Sequence, residues 1–90
     1  MHKTQADLLH QMKEVESEVE VGALYSHYRD LENPYTVIAV GLLEFSEEPA
    51  VVYEKDSIIW IRSLSSWKEE VLLEDGSLVP RFAPFKLGIS

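Results

Sequence analysis

Residues that turn or break a chain recur along this sequence at short intervals, and the spacing leaves room for only short strands between them. Gly22, Asn33-Pro34, Ser46-Glu47-Glu48-Pro49, Lys55-Asp56-Ser57 and Asp75-Gly76 separate runs rich in Val, Ile, Tyr and Trp. Short β-rich runs bounded by such residues read as strands. The predicted strands cover residues 23–28, 35–43, 50–54, 58–62, 71–73 and 77–79. Residues 30–34 are read as a turn, and Asp75-Gly76 as a hairpin. The nearly all-apolar 35–43 run predicts a central strand buried on both faces, with Gly41 marking a bulge. About five such strands predict a small SH3-like barrel or a strongly bent antiparallel sheet. In residues 58–62 the two-residue period puts Trp60 and Arg62 on one face and Ile59 and Ile61 on the other, which is expected to be core. Residues 64–70 have room for one helical turn carrying Trp67.

The N-terminal segment has a different period. Leu8, Met12, Val15 and Val19 fall at spacings of four, three and four, which places them on one face of a helix. Thr4 can cap that helix, with Asp7 three residues on reaching back to the cap amide. The helix is expected to span residues 4–19 and to dock on its own sheet. Val and Glu alternate strictly from Val19 to Val21, so the helix end can also open a strand. The division is thus an N-terminal helix over residues 1–21, a β region over 22–82 and a tail over 83–90, all one domain. The tail carries two more breakers, Pro84 and Gly88.

Ninety residues is near the lower end of what folds alone, so the core is small and each aromatic side chain counts. The sequence has no cysteine, which excludes disulfides, thiolate nucleophiles and thiolate metal sites and fits a reducing cytoplasm. Polar residues at the start leave no apolar signal region. No apolar run approaches the roughly 20 residues of a membrane span. The net charge of −8, with eight scattered basic residues, disfavours binding to a nucleic-acid backbone.

Gly22…Tyr25-x-His27-Tyr28, Tyr35-x-Val37, Ser46-Glu47, Val51-Val52-Tyr53, Trp60-Ile61-Arg62, Trp67 and Val79-Pro80-Arg81-Phe82 together resemble the DUF1653 family, small and mainly bacterial proteins of uncharacterised function. The resemblance covers about residues 22–82 and leaves the N-terminal helix outside. The chain departs from the family pattern in three places. Arg29-Asp30 stands where the family tends to have Lys-Gly, Ser63 replaces a Pro, and Glu48 takes the place of a Thr. The resemblance supports the fold reading and implies no activity.

Candidate site residues come from chemistry. The three histidines, His2, His10 and His27, lack the spacing of metal ligands, so neither metal nor cofactor is expected. His27-Tyr28-Arg29 is the best polar cluster. On a strand His27 shares a face with Tyr25 and Arg29, while Tyr28 points away. His27 can be a general base or an anion contact, or it can simply bond to backbone at the rim of the fold. No serine lies in a nucleophile elbow and no glycine-rich phosphate loop exists. Arg62 and Arg81 stand beside Trp, Pro and Phe. A half-buried guanidinium there needs a carboxylate, carbonyls, an aromatic face or an anionic ligand. Glu44, Glu47 and Glu48 are possible carboxylate partners.

The preferred reading is a non-enzymatic binding module. Its groove, lined by His27, Tyr28, Glu47, Tyr53, Trp60, Arg62 and Arg81, takes a small anionic or peptide-like ligand or a protein partner. One alternative is an enzyme using His27 and Glu47 as acid and base, with Arg62 or Arg81 holding an anion. Another is a structural interaction protein acting through its helix. The chain is expected to be a monomer or weak dimer. Convergence of His27, Glu47 and an arginine on one point favours the enzyme; arginines already paired within the protein favour the module.

Overall fold

The computed structural model describes residues 4–85; His2 and Gly88 lie outside them. Helix α1 spans Gln5–Glu18. Thr4 Oγ1 accepts the Asp7 N–H at 3.1 Å and Asp7 Oδ2 accepts the Thr4 N–H at 3.3 Å, the reciprocal cap that the spacing predicts. Val19 leaves the helix in extended conformation, its N–H still donating to Val15 O. The Val/Glu alternation around residues 19–21 is therefore a helix exit and not a strand. Gly22 turns the chain at φ +91°, a conformation that favours glycine, and its N–H donates to Val37 O at 2.8 Å. Val15 and Val19 are buried, Leu8 and Met12 partly so. The apolar stripe packs on β2 (Asp30–Leu42) and β3 (Pro49–Lys55).

The remaining elements are β1 (Leu24–His27), β4 (Ile58–Ser63), the one-turn α2 (Leu64–Trp67), β5 (Glu70–Leu72), β6 (Leu78–Pro80) and β7 (Phe82–Pro84). Five strands form one antiparallel sheet in the order β4-β3-β2-β1-β7, and β5 and β6 pair apart as a hairpin. The protein is mainly β, and its sheet does not close into a barrel. The connection between β4 and β7 folds back on itself as α2 and the β5–β6 hairpin, and no strand pairing joins the two sheet edges among the described residues.

Turn chemistry explains most of the connections. Asp56 and Ser57 both have positive φ, 53° and 66°, and Lys55 pairs with Ile58 across them. A two-residue turn with both φ positive matches the twist of its strands. Gly76 at φ +88° closes the Asp75-Gly76 hairpin. The Asn33-Pro34 signal has a different outcome. The chain reverses earlier, at Tyr28-Arg29, with His27 paired to Asp30. Asn33-Pro34 falls instead in the irregularity between that pair and Tyr25↔Tyr35, where a proline without an N–H removes no ladder bond. The predicted bulge also moves. Gly41 pairs regularly with Ala50, and the extra residue lies between Val37 and Ala39. β2 is the central strand, yet Val37 is its one buried residue and Ile38, the extra residue of the bulge, is 41% exposed, so the strand is not buried on both faces.

β4 corrects the sequence reading most. Trp60 and Arg62 do share a face, opposite Tyr53 and Val51. Those two neighbours are 4% and 0% exposed, so Trp60 and Arg62 flank the core. Ile59 and Ile61, expected inside, are 59% and 64% exposed. The residues of this strand are apolar on both faces, so only the register with β3 sets which face turns inward.

The core is chiefly aromatic. Val19, Tyr25, Val37, Val51, Tyr53, Trp67 and Phe82 form one buried cluster. Trp67 and Phe82 stack with centroids 3.9 Å apart, and Tyr25 and Tyr53 meet the Trp67 ring edge-on at 5.4 and 5.1 Å. Ser63 Oγ accepts the Ser66 N–H and so caps α2, which carries Trp67 back over the sheet.

Candidate functional site

β1, β2, β3, β4 and β7 bring His27, Arg29, Asp30, Tyr35, Tyr53, Lys55, Trp60, Arg62 and Phe82 around a shallow cleft of about 310 Å³. Alternation along antiparallel strands builds it. Tyr53 and Lys55 on β3 share a face with Trp60 and Arg62 on β4, on either side of the Asp56-Ser57 turn. The floor is aromatic: His27 meets Phe82 edge-on at 5.1 Å and Tyr35 meets Tyr53 at 5.2 Å.

Arg62 is held by neutral groups. Its Nε donates to Tyr53 Oη at 3.2 Å, its Nη1 to Ser66 Oγ at 2.9 Å, and its guanidinium lies 5.6 Å from the Phe82 ring centroid. Arg29 donates to Tyr28 Oη at 3.1 Å. Among the described residues neither arginine forms an ion pair with a carboxylate. Lys55, in contrast, is paired with Asp30 at 3.0 Å and lies 4.9 Å from the Tyr35 ring centroid. That hydrogen bond, with a second from Asn33, holds the Asp30 carboxyl below its ordinary range and raises Lys55.

His27 registers the excess of positive charge. Burial pushes its pKa below the ordinary value, and Arg62, Arg81, Arg29 and Lys55 push it further the same way. Its Nδ1 accepts the Arg29 N–H at 3.2 Å. Nδ1 therefore serves as an acceptor, and the neutral ring carries its proton on Nε2.

The other sequence candidates stand elsewhere. Tyr28 lies in the β1–β2 turn against the outer side of His27, at 4.7 Å. It borders an apolar groove with Leu31, Leu73, Val79 and Pro80. Glu47 lies at the opposite end of the β2–β3 hairpin, and the length of β3 separates it from Lys55 by roughly 20 Å at about 3.3 Å per residue. Its backbone carbonyl accepts Gln11 Nε2 at 3.4 Å. Arg81 pairs with Glu69 through Nη2, and its backbone N–H donates to Glu69 O. It joins the β5–β6 hairpin to β7 and does not line the cleft.

Replacing Arg81 with Lys is expected to lower stability by about 1 kcal/mol, since a lysine keeps the charge and loses the planar fork. In a domain of this size that is a fall in Tm of about 4–8 °C. A melt superimposable on wild type would show that the pair holds nothing.

Arg29, Asp30, Tyr35, Lys55 and Phe82 line the cleft but are not in the groove expected from the sequence. The signal for Lys55 was present: it is two residues from Tyr53, across a turn from Trp60. Among the described residues no cluster of three or more His, Asp or Glu converges as metal ligands would, and no helix is long and apolar enough to cross a membrane.

A family model described as "Protein of unknown function (DUF1653)" matches residues 23–84. No curated protein and no solved structure matches the chain.

Proposed function

The chain belongs to the DUF1653 family, and from that premise we propose that it is a non-enzymatic binding module whose cleft takes a small anion bearing a planar group. One observation carries this reading. In a chain of net charge −8, Arg62 and Arg29 sit at a shared cleft whose carboxylate, Asp30, is taken by Lys55, and neither arginine has an ion-pair partner among the described residues. A guanidinium in such a place favours an anionic oxygen pair. Trp60, 47% exposed, offers a ring face to a planar group, and the Nε2–H of His27 is a neutral donor. Binding is favoured over acid–base catalysis because Glu47 stands at the far end of the hairpin and His27 Nδ1 is occupied by backbone.

Benzenesulfonate is a suitable probe, since its charge does not change between pH 5 and 8. NMR titration should shift the Trp60 indole and His27 ring signals, while the uncharged benzenesulfonamide should leave them in place. Arg62→Gln should weaken benzenesulfonate binding by about tenfold or more, the value of a charged hydrogen bond. Binding should also tighten as pH falls. The free protein holds His27 below its ordinary value of 6.5, a bound anion raises it, and the complex takes up a proton between the two values. Equal shifts from both probes, or an Arg62→Gln protein that binds like wild type, would reject the reading.

A further inference from the structure

We propose that β4 pairs antiparallel with β4 of a second copy of this chain, joining two five-stranded sheets across a two-fold axis. β4 is the last strand of its sheet, so one side of its backbone has no ladder partner among the described residues. Residues 58–61 are four large apolar side chains in succession, 53%, 59%, 47% and 64% exposed. They point alternately to both faces of the sheet. A partner lying on the outer face would cover only Ile59 and Ile61. An added strand flanks all four, because cross-strand neighbours lie on both faces.

The two edges of the sheet differ in the way that matters. Edge strands are ordinarily blunted by short length, proline, lysine or bulges. β7 has two of these devices: it is three residues long and ends on Pro84. β4 has none. It is six residues long, regular against β3, and contains neither proline nor lysine.

The strand also suits itself. A two-fold axis normal to the sheet keeps each residue on its own face in both copies, so opposed residues must be of the same parity. Centred on Trp60, such a pairing sets Ile59 against Ile61 of the partner subunit and Ile58 against Arg62 of the partner subunit. Arg62 is the single charge in β4, and it meets no like charge. Since Trp60 and Arg62 both line the cleft, the dimer would set two clefts side by side at the new junction.

Sedimentation equilibrium on the full chain, in 150 mM salt to screen the net charge, reads this without any ligand and so independently of the cleft. The wild type should be a reversible dimer. The double substitution Ile59→Lys/Ile61→Lys places like charges opposite each other twice in the symmetric pair, and should raise the dimer Kd by about 100-fold or more. Both side chains are exposed, so its melting curve at monomeric concentration should match that of wild type. Ile38→Lys tests the same outer face away from the edge and should leave the dimer intact. The proposal fails if the wild type is monomeric to millimolar concentration, if the double substitution leaves the dimer unchanged, or if Ile38→Lys dissolves the dimer equally well, which would indicate face-to-face packing.

Discussion

Replacing Phe82 with alanine should lower the melting temperature by about 15–30 °C. Phe82 is 7% exposed and is the ring on which the core converges. It stacks on Trp67 and meets His27, Tyr35 and Tyr53 edge-on between 5.1 and 5.9 Å. Truncating a buried phenylalanine to alanine costs about 3–5 kcal/mol, because the cavity adds to the lost transfer energy. A domain of this size has a total stability near the lower end of about 5–15 kcal/mol, and each kcal/mol is worth about 4–8 °C. Phe82→Leu keeps most of the volume and should show well under half the effect. The measurement is thermal unfolding followed by tryptophan fluorescence. A fall of less than about 5 °C would mean that the aromatic cluster does not hold the fold.

Deleting residues 1–18 should also strongly destabilise the protein. An isolated helix of this length is marginal in water, so α1 exists because its stripe is covered by the sheet. Val15 is 2% exposed, worth about 1.5–3 kcal/mol of burial, and the sheet surface it leaves bare adds a similar amount. The ion pair of Glu18 with Lys68 is on the surface and contributes little. The truncated chain should melt at least 10 °C lower, at about 4–8 °C per kcal/mol, and bind an apolar dye. Its association state should be that of the full chain. A well-folded truncated monomer from a dimeric parent would make α1 the oligomerisation element and displace β4 from that role.

The features legible in the sequence are those determined within a few residues. The Thr4–Asp7 cap, the Asp56-Ser57 turn, the Asp75-Gly76 hairpin and the one-turn helix carrying Trp67 each depend on contacts three or four positions apart. Each stands where the residues place it. Their sum implies a small antiparallel sheet with a helix docked on it, and the family motifs agree.

The site was legible only in part, for a physical reason. Tyr53, Trp60 and Arg62 were recognisable as candidates because large aromatics beside an arginine are rarely neutral in energy. Their convergence with His27, and the exclusion of Glu47, depend on which ends of which strands adjoin. Nothing local encodes that.

What the sequence by itself determined is therefore the inventory of elements and their turns. Tertiary structure alone decided which face of β4 is inside, where β2 bulges, that the tail supplies a fifth strand in β7, and that the sheet stays open. A two-residue period assigns sides but not inside and outside when both sides are apolar, as in Ile58-Ile59-Trp60-Ile61. Only the register against Val51 and Tyr53, residues whose burial depends on α2 and β7 folding back over them, turns Arg62 toward the cleft and leaves Ile61 in solvent.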